Sequence, residues 1–515
     1  MTRVRWARVA VAAIPVAFIG YFFAYPVARI LHVGLSELGA GSTGLEARLV
    51  RVGWFTLWQA VLSTLLTFLA AAPLTWAVSS YRFRGRRLAT ALVTVPFVLP
   101  TVVVGTAFVA LGLTGSIWAI LAAHVFFNVA VVVRTVSTLW ARIDPRLHEA
   151  ARVLGSNERQ VFTRVTLPLL RPALAAAASI VFLFTFTSFG VVLILGGFSY
   201  ATLEVEIYRQ AVTLFDLPLA AALAVIQLVG VSLALFGYSR YQERTSASWA
   251  LDKEADLPRP KGVTRGLVTI SVLGTLGALA VPVAVLVARS WGGSYAELFS
   301  GDTVVGRPIE AIGNSLLYAG AAMVLAVVIG LMAATVITRR GGRLSSWFDV
   351  ALMLPLGTSA VTIGFGFIVA LGWPVDLRAS IWLVPIAHAL VAIPFVVRTT
   401  VPTLRSIEPQ TREAAAVLGA SPSRVWRHID LPIVSRAALV ATAFAFVISL
   451  GEFGATSFIA RPGAPTIPTM IFRLLGRPGQ ATFGMAMAMS VILAAITAAV
   501  VLSIDRARAG GIGRF

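Results

Sequence analysis

Residues 149–168 read EAARVLGSNERQVFTRVTLP, and residues 413–432 read EAAAVLGASPSRVWRHIDLP. The two stretches are 264 positions apart (149 against 413). Each opens on Glu-Ala-Ala, carries a glycine six positions after the glutamate and closes on Leu-Pro. Both are polar, yet the chain around them is 58% hydrophobic and only 12% charged, with a mean hydropathy of +0.87. A soluble domain carries roughly 25% charged residues. The contrast sets the fold class: an all-α polytopic membrane protein in which these stretches are the water-exposed excursions.

Twelve apolar runs are long enough to cross a bilayer, which takes about 20 residues. They lie near 9–30, 50–79, 88–112, 117–139, 173–196, 219–238, 266–288, 313–338, 347–372, 381–400, 436–457 and 483–504. No small-residue cleavage site follows the first, so it reads as a retained helix rather than a signal peptide. Cationic clusters recur at every second connection: Arg3, Arg5 and Arg8; Arg82, Arg84, Arg86 and Arg87; the two quoted stretches; a connector from Arg240 to Arg265; and Arg339, Arg340 and Arg343. The alternate connections are poor in cations, as in LTGS at 113–116. The positive-inside bias therefore places both termini and both quoted stretches in the cytoplasm. The net charge of +20 is distributed over these loops, which argues against a nucleic-acid partner. The absence of cysteine excludes disulfides, iron–sulfur clusters and thiol chemistry.

The offset of the two stretches extends well beyond them. Ser116-Ile117-Trp118 matches Ser380-Ile381-Trp382, His124 matches His388, Phe189-Gly190 matches Phe453-Gly454, and Arg209 matches Arg473, all without a gap. The chain therefore divides into a half over 1–240 with its loop at 144–168, a cytoplasmic connector over 241–264, and a half over 265–515 with its loop at 408–432. Six spans in each half make the halves parallel repeats about an axis along the membrane normal. The interface on that axis is the expected place for a passage.

Each loop is expected to form a helix–turn–helix. Asp144 caps a helix opened by Pro145, Gly155 ends it, Ser156 caps a second short helix, and Leu167-Pro168 closes that one. In the second loop Pro409 follows Glu408, Gly419 ends the helix, and Ser421 caps one opened by Pro422. Ala150, Ala151, Ala414 and Ala415 leave a small-residue strip that another surface can approach. Val153, Leu154, Val161 and Phe162, with Val417, Leu418, Val425 and Trp426, are expected to anchor the elements.

This spacing resembles the EAA loop of the membrane permeases of ATP-binding-cassette importers, and two copies in one chain resemble the fused permeases of that class. The resemblance covers nearly the whole chain. It implies that Glu149, Ala150, Ala151 and Gly155 dock one ATPase subunit, and that Glu413, Ala414, Ala415 and Gly419 dock a second copy. It further implies an extracytoplasmic solute-binding protein as partner and residence in the plasma membrane of a bacterium. The chain holds no G-x-x-x-x-G-K-[ST], and its only lysines, Lys253 and Lys261, sit in the connector. It is accordingly expected to be a transport subunit rather than an enzyme, to bind no cofactor, and to leave ATP and magnesium to its partners.

Four stretches, LWQAVLSTLL from Leu57, AHVFFN from Ala123, LGGFSYATLEVEIYRQA from Leu195 and SLGEFG from Ser449, resemble thiamine permeases. The fused ferric-iron permeases have similar stretches, and phosphonate or polyamine passengers stay open. The candidate pathway residues are Glu452, its repeat partner Ser188, Asn128, Gln59 and Tyr208. Glu452 is a carboxylate within an apolar run; it suits a cationic passenger, or it bonds a neighbouring helix. Asn128, Gln59 and Asn314 also read as interhelical hydrogen-bonding groups. His124 and His388 have no carboxylate at ligand spacing, so they read as a symmetric packing pair and no metal site is expected. Trp54, Trp58 and Trp76 offer either cation–π faces or interfacial anchors. The outer segments around Tyr208 and Phe472 are expected to form short helices that receive the binding protein. A secondary transporter is the competing class, but it calls for paired intramembrane charges and no matched wedges.

Overall fold

The computed structural model describes residues 12–40, 45–245, 257–291, 294–300, 306–340 and 343–509. The N-terminal arginines, connector residues 246–256 with Lys253, and the tail beyond 509 lie outside the described residues. In chain order the first half runs α1 (Ala12–Ala40), α2 (Leu45–Ser80), α3 (Arg86–Val98), α4 (Thr101–Ala110), α5 (Ile117–Trp140), α6 (Pro145–Val153), α7 (Glu158–Phe186), α8 (Gly190–Gly196), α9 (Leu203–Tyr208) and α10 (Leu217–Thr245). The second half runs α11 (Gly262–Ser290), α12 (Ser294–Ser300), α13 (Pro308–Arg340), α14 (Arg343–Gly357), α15 (Ala360–Ala370), α16 (Leu383–Arg405), α17 (Pro409–Val417), α18 (Pro422–Gly451), α19 (Thr456–Ile459), α20 (Ile467–Leu475) and α21 (Gln480–Ala509).

Ten of these helices are long and apolar enough to cross a membrane. Two further spans, expected as continuous helices near 88–112 and 347–372, are instead bent pairs: α3 meets α4 at 96°, and α14 meets α15 at 93°. The sequence VPFVLPT explains the first. Leu99 is extended, with ψ 138°, ahead of Pro100, because a residue before proline is pushed out of the helical region. In the second, Ser359 caps α15 by accepting from Thr362 N at 3.0 Å. The runs expected near 173–196 and 436–457 also break early, at Thr187–Phe189 and Glu452–Ala455, and short helices follow. Hydropathy hides these turns, because most of their residues are small or apolar.

Contacts divide the chain into two compact units: Met1–Ser42, Ile207–Val225 and Gly292–Phe515 in one, Thr43–Glu206 and Ile226–Trp291 in the other. The units are not the sequence halves, since each takes the opening helix of the opposite half. In the first unit α13, α16 and α18 pack together, and α1 lies along α15. There Phe23 and Ile30 are buried, and Gly34 sits so close to Ala221 that a Cβ would lie 2.6 Å from its carbonyl oxygen. In the second unit α2, α5 and α7 form the equivalent trio, and α11 packs on α2 and α4.

Hydroxyl groups on the spans pair with their own helix, as a hydrocarbon environment favours. Along α2, Thr56, Thr64, Thr67, Thr75 and Ser79 each donate to the carbonyl four residues back. Meanwhile Leu65, Leu69, Ile270 and Leu317 point outward, the apolar surface that lipid covers.

One packing test follows from α15. A Cβ at Gly364 would lie 2.7 Å from Ala455 Cα and 2.8 Å from Ala455 O, and backbone cannot swing aside. Gly364→Val is expected to cost about 3 kcal/mol and to lower the unfolding temperature in detergent. Gly274→Val, which meets open space, serves as the control and should leave that temperature unchanged.

Candidate functional site

The two loops fold alike. Asp144 accepts from Arg146 N at 2.9 Å and opens α6; Pro409 opens α17 after Glu408, whose side chain makes no cap bond. Gly155 and Gly419 end these helices at φ +85° and +80°, a region that suits glycine because it lacks a Cβ. The cap of the next helix is Asn157, not Ser156. Its side chain accepts from Gln160 N at 2.9 Å, and Gln160 accepts back from Asn157 N at 2.9 Å. Asn157 matches Ser421, which caps α18 through Arg424 N.

Leu167-Pro168 does not close the second helix as expected. α7 runs unbroken from Glu158 into the membrane span, as does α18 from Pro422. A π-turn over Phe162–Thr166 precedes one proline, and another over Trp426–Asp430 precedes the other. Leu167 N reaches back to Phe162 O, and Leu431 N to Trp426 O. The wider turn absorbs the ladder position at which proline has no N–H to give. Each loop is therefore one free helix joined through glycine to the foot of a membrane helix.

The anchoring expectation divides. Val161 and Val425 are buried and do hold the loops down. Phe162 packs on Trp140 with centroids 6.0 Å apart. Val153 and Leu154 are instead 87% and 84% exposed, and Val417 and Leu418 are both 87% exposed. Glu149, Ala150, Glu413 and Ala414 are exposed as well, with Ala151 and Ala415 partly so. Two matched apolar pairs thus stand in water beside Glu-Ala-Ala on otherwise polar helices.

At the base of each loop a polar tie joins the free helix to the π-turn. His148 Nε2 lies 3.0 Å from Thr166 Oγ1. At the matching positions Arg412 Nε donates to Asp430 Oδ1 at 2.8 Å. Burial, with Arg152 adding to it, pushes the His148 imidazole below its ordinary pKa, against the pull of Glu158.

The candidate pathway residues fall in both units. In the second unit, Gln59 is buried and donates to Thr56 O and Thr185 O at 3.1 and 2.9 Å. Asn128 is buried and donates to His124 O at 2.9 Å. His124 lies 3.0 Å from Ser63 Oγ through Nδ1 and 2.9 Å from Ser188 Oγ through Nε2. Three of the five candidates therefore gather along the α2–α5–α7 seam around His124.

In the first unit, Glu452 is enclosed in the turn after α18. Its Oε1 accepts from Ala455 N at 2.9 Å, and its Oε2 accepts from Thr456 N at 3.1 Å and Thr456 Oγ1 at 2.7 Å. His388 Nε2 stands 3.1 Å from the same Oε2, and its Nδ1 lies 2.7 Å from Ser449 Oγ. His388 does have a carboxylate, then, 64 residues away along the chain (388 against 452) and invisible to ligand spacing. The repeat is preserved in kind: each histidine turns Nε2 toward the residue at the break, Ser188 in one copy and Glu452 in the other. Among the described residues no three His, Asp or Glu side chains stand close enough together to hold a metal ion.

Tyr208 ends α9 and lies edge-on to Phe458, with centroids 5.5 Å apart; Arg473 interacts with it electrostatically and donates to Pro462 O at 3.0 Å. The segments around Tyr208 and Phe472 are helical, as α9 and α20. Asn314 donates to Pro465 O at 3.1 Å, in the turn that leads into α20, so it ties α13 to a loop and not to a second helix. Trp54 is exposed, while Trp58 packs on Phe55 and Trp76 on Tyr81.

Among the described residues, 10 to 12 candidate membrane spans and two matched, exposed loop helices define a polytopic membrane protein. The chain belongs to the family of binding-protein-dependent transport system inner membrane components, which matches it twice, over residues 63–246 and 326–509. Among its relatives, the thiamine transport system permease protein of Brucella suis is 31% identical over 512 residues, covering 93% of this chain and 92% of its own. That of Escherichia coli is 26% identical, covering 82% and 83%. A relative named for 2-aminoethylphosphonate transport in Salmonella typhimurium is 30% identical over 256 residues, covering 48% of this chain and 95% of its own.

Proposed function

We propose that this permease carries thiamine inward across the plasma membrane, driven by two copies of an ATPase subunit docked on α6 and α17. The carrying observation is the pair of exposed Val-Leu steps at the same place in both loops. The choice of passenger is supported by end-to-end similarity to fused thiamine permeases. ATP and its magnesium sit on the ATPase subunits. The loops and both termini face the cytoplasm, and an extracytoplasmic binding protein delivers the solute to the opposite side.

The local mechanics follow from the fold. Each docking helix joins, through a tight glycine turn, a helix that runs unbroken through its π-turn into a span. Motion imposed on the apolar pair therefore reaches the membrane bundle. On the passage, Tyr208 and Phe458 offer ring faces and edges to a planar aromatic cation.

The test is reconstitution of the chain with its genomic neighbours encoding an ATPase and a binding protein, followed by measurement of ATP-dependent uptake of labelled thiamine. Saturable uptake that excess unlabelled thiamine abolishes, and that ferric iron or 2-aminoethylphosphonate does not, is the expected outcome. Uptake of either of the others in its place would overturn the passenger.

A further inference from the structure

We propose that the two docking loops are unequal levers, with Arg412 riveting the second loop to both membrane helices that flank it and His148 holding the first to only one. The inference rests on the coupling role proposed above and deepens it.

The matched positions are 148 with 412 and 166 with 430. In the second loop, Arg412 donates through Nε to Asp430 at the foot of α18, at 2.8 Å. Through Nη2 it donates to Leu404 O near the end of α16, at 3.2 Å. A single guanidinium thus joins α17 to the helix before it and the helix after it, using a planar fork whose donors diverge at fixed angles. Asp430 is fully buried and Arg412 mostly covered, so the pair is largely shielded from water and salt.

The first loop has the same tie with weaker chemistry. His148 reaches Thr166 at 3.0 Å. Among the described residues it makes no bond to the end of α5, which occupies the place of α16. The His148 tie is a single bond to an uncharged hydroxyl, whereas Arg412 meets a carboxylate, and charge-assisted hydrogen bonds are roughly twice as strong as neutral ones. The ion pair in the first loop's own stem, Arg152 with Glu158 at 2.8 Å, is exposed on both sides and links α6 to the start of α7, not to the span before it. The second loop has Ala416 and Pro422 at those positions.

A lever held at two points passes on displacement that one held at a single point loses by pivoting. Arg412 and Asp430 are therefore positioning residues for coupling, and the second loop carries more of the stroke.

The test compares matched variants in the reconstituted complex, reading solute imported per ATP hydrolysed, with ATPase retention on the purified complex as control. Arg412→Gln and Asp430→Asn are expected to lower that ratio about tenfold, while His148→Gln and Thr166→Val change it about twofold at most. If Asp430→Asn does not fold, Arg412→Lys decides: it keeps the charge near Asp430 but gives up the fork, and an intermediate ratio is expected. Equal losses from the two loops, or no loss from the Arg412 variants, overturns the inference. Failure of the wild-type chain to retain any ATPase overturns the coupling role itself, and the two outcomes are distinct.

Discussion

Val417→Asp with Leu418→Asp is expected to abolish uptake while leaving the chain folded. Both side chains are 87% exposed in the free protein, so the substitution removes no contact within it. Val417 ends α17 and Leu418 is its C-cap, so two carboxylates there oppose the helix dipole by about 0.3–1 kcal/mol each, too little to unfold the chain. Covered by a partner, each side chain contributes about 1.5–3 kcal/mol by leaving water, so the pair carries about 3–6 kcal/mol of docking. Two carboxylates placed in that interface reverse the sign, because unpaired charges resist burial. A loss of docking of about hundredfold or more is expected, with unchanged helical content and melting. Val153→Asp with Leu154→Asp should act in the same direction. The measurement is recovery of ATPase on the tagged chain beside the initial uptake rate. Normal recovery and normal uptake in both double variants would sink the docking role of these pairs.

Glu452→Leu is expected to have an equally large effect by the opposite route, through loss of the fold. The carboxylate takes Ala455 N, Thr456 N and the Thr456 hydroxyl, and faces His388 Nε2. Leucine leaves Ala455 N and Thr456 N buried without acceptors, at about 1–3 kcal/mol each, while the Thr456 hydroxyl keeps His388 Nε2 and the Glu452 carbonyl; the sum is a large share of the stability of an ordinary domain, at about 5–15 kcal/mol. Little folded protein should be recovered, and what remains should melt early in detergent. Glu452→Gln retains one oxygen for the backbone and should fall between. Ser188→Ala loses one hydroxyl contact to His124 and is expected to cost about 1 kcal/mol. The decisive reading is uptake against melting. A Glu452→Leu protein that melts like the parent yet fails to import would place the carboxylate against the passenger instead of in the turn.

The contrast between these two predictions marks how far the residues could be read in order. Glu452 stands out in sequence as an intramembrane carboxylate, and that signal is sound. Its partners are His388, whose relation to it spans 64 positions, and the N–H groups of a short helix that hydropathy merges with the preceding span. The missing clue was the repeat itself: positions 188 and 452 match, and so do 124 and 388, so a contact in one half foretells a contact in the other. Val153 and Val161 show the same limit at short range. Both are valines on neighbouring helices of one loop, yet one is bare and one is buried, and only the bend at Gly155 separates their fates.

Hydropathy, arginine spacing and a constant offset were enough to establish a duplicated, all-helical membrane chain with two water-exposed loops, because bilayer thickness and backbone satisfaction act on each segment separately. The glycine turns and most caps were legible for the same reason, since φ and the first N–H groups are local matters. Four features waited on three-dimensional packing: the right-angled breaks at 86–110 and 347–370, the opening helices joined to the opposite half's unit, the π-turns that carry α7 and α18 through their prolines, and the fork of Arg412 between two helices. Each depends on which surfaces meet across long stretches of chain, and apolar residues that suit lipid and apolar residues that suit another helix are written with the same letters.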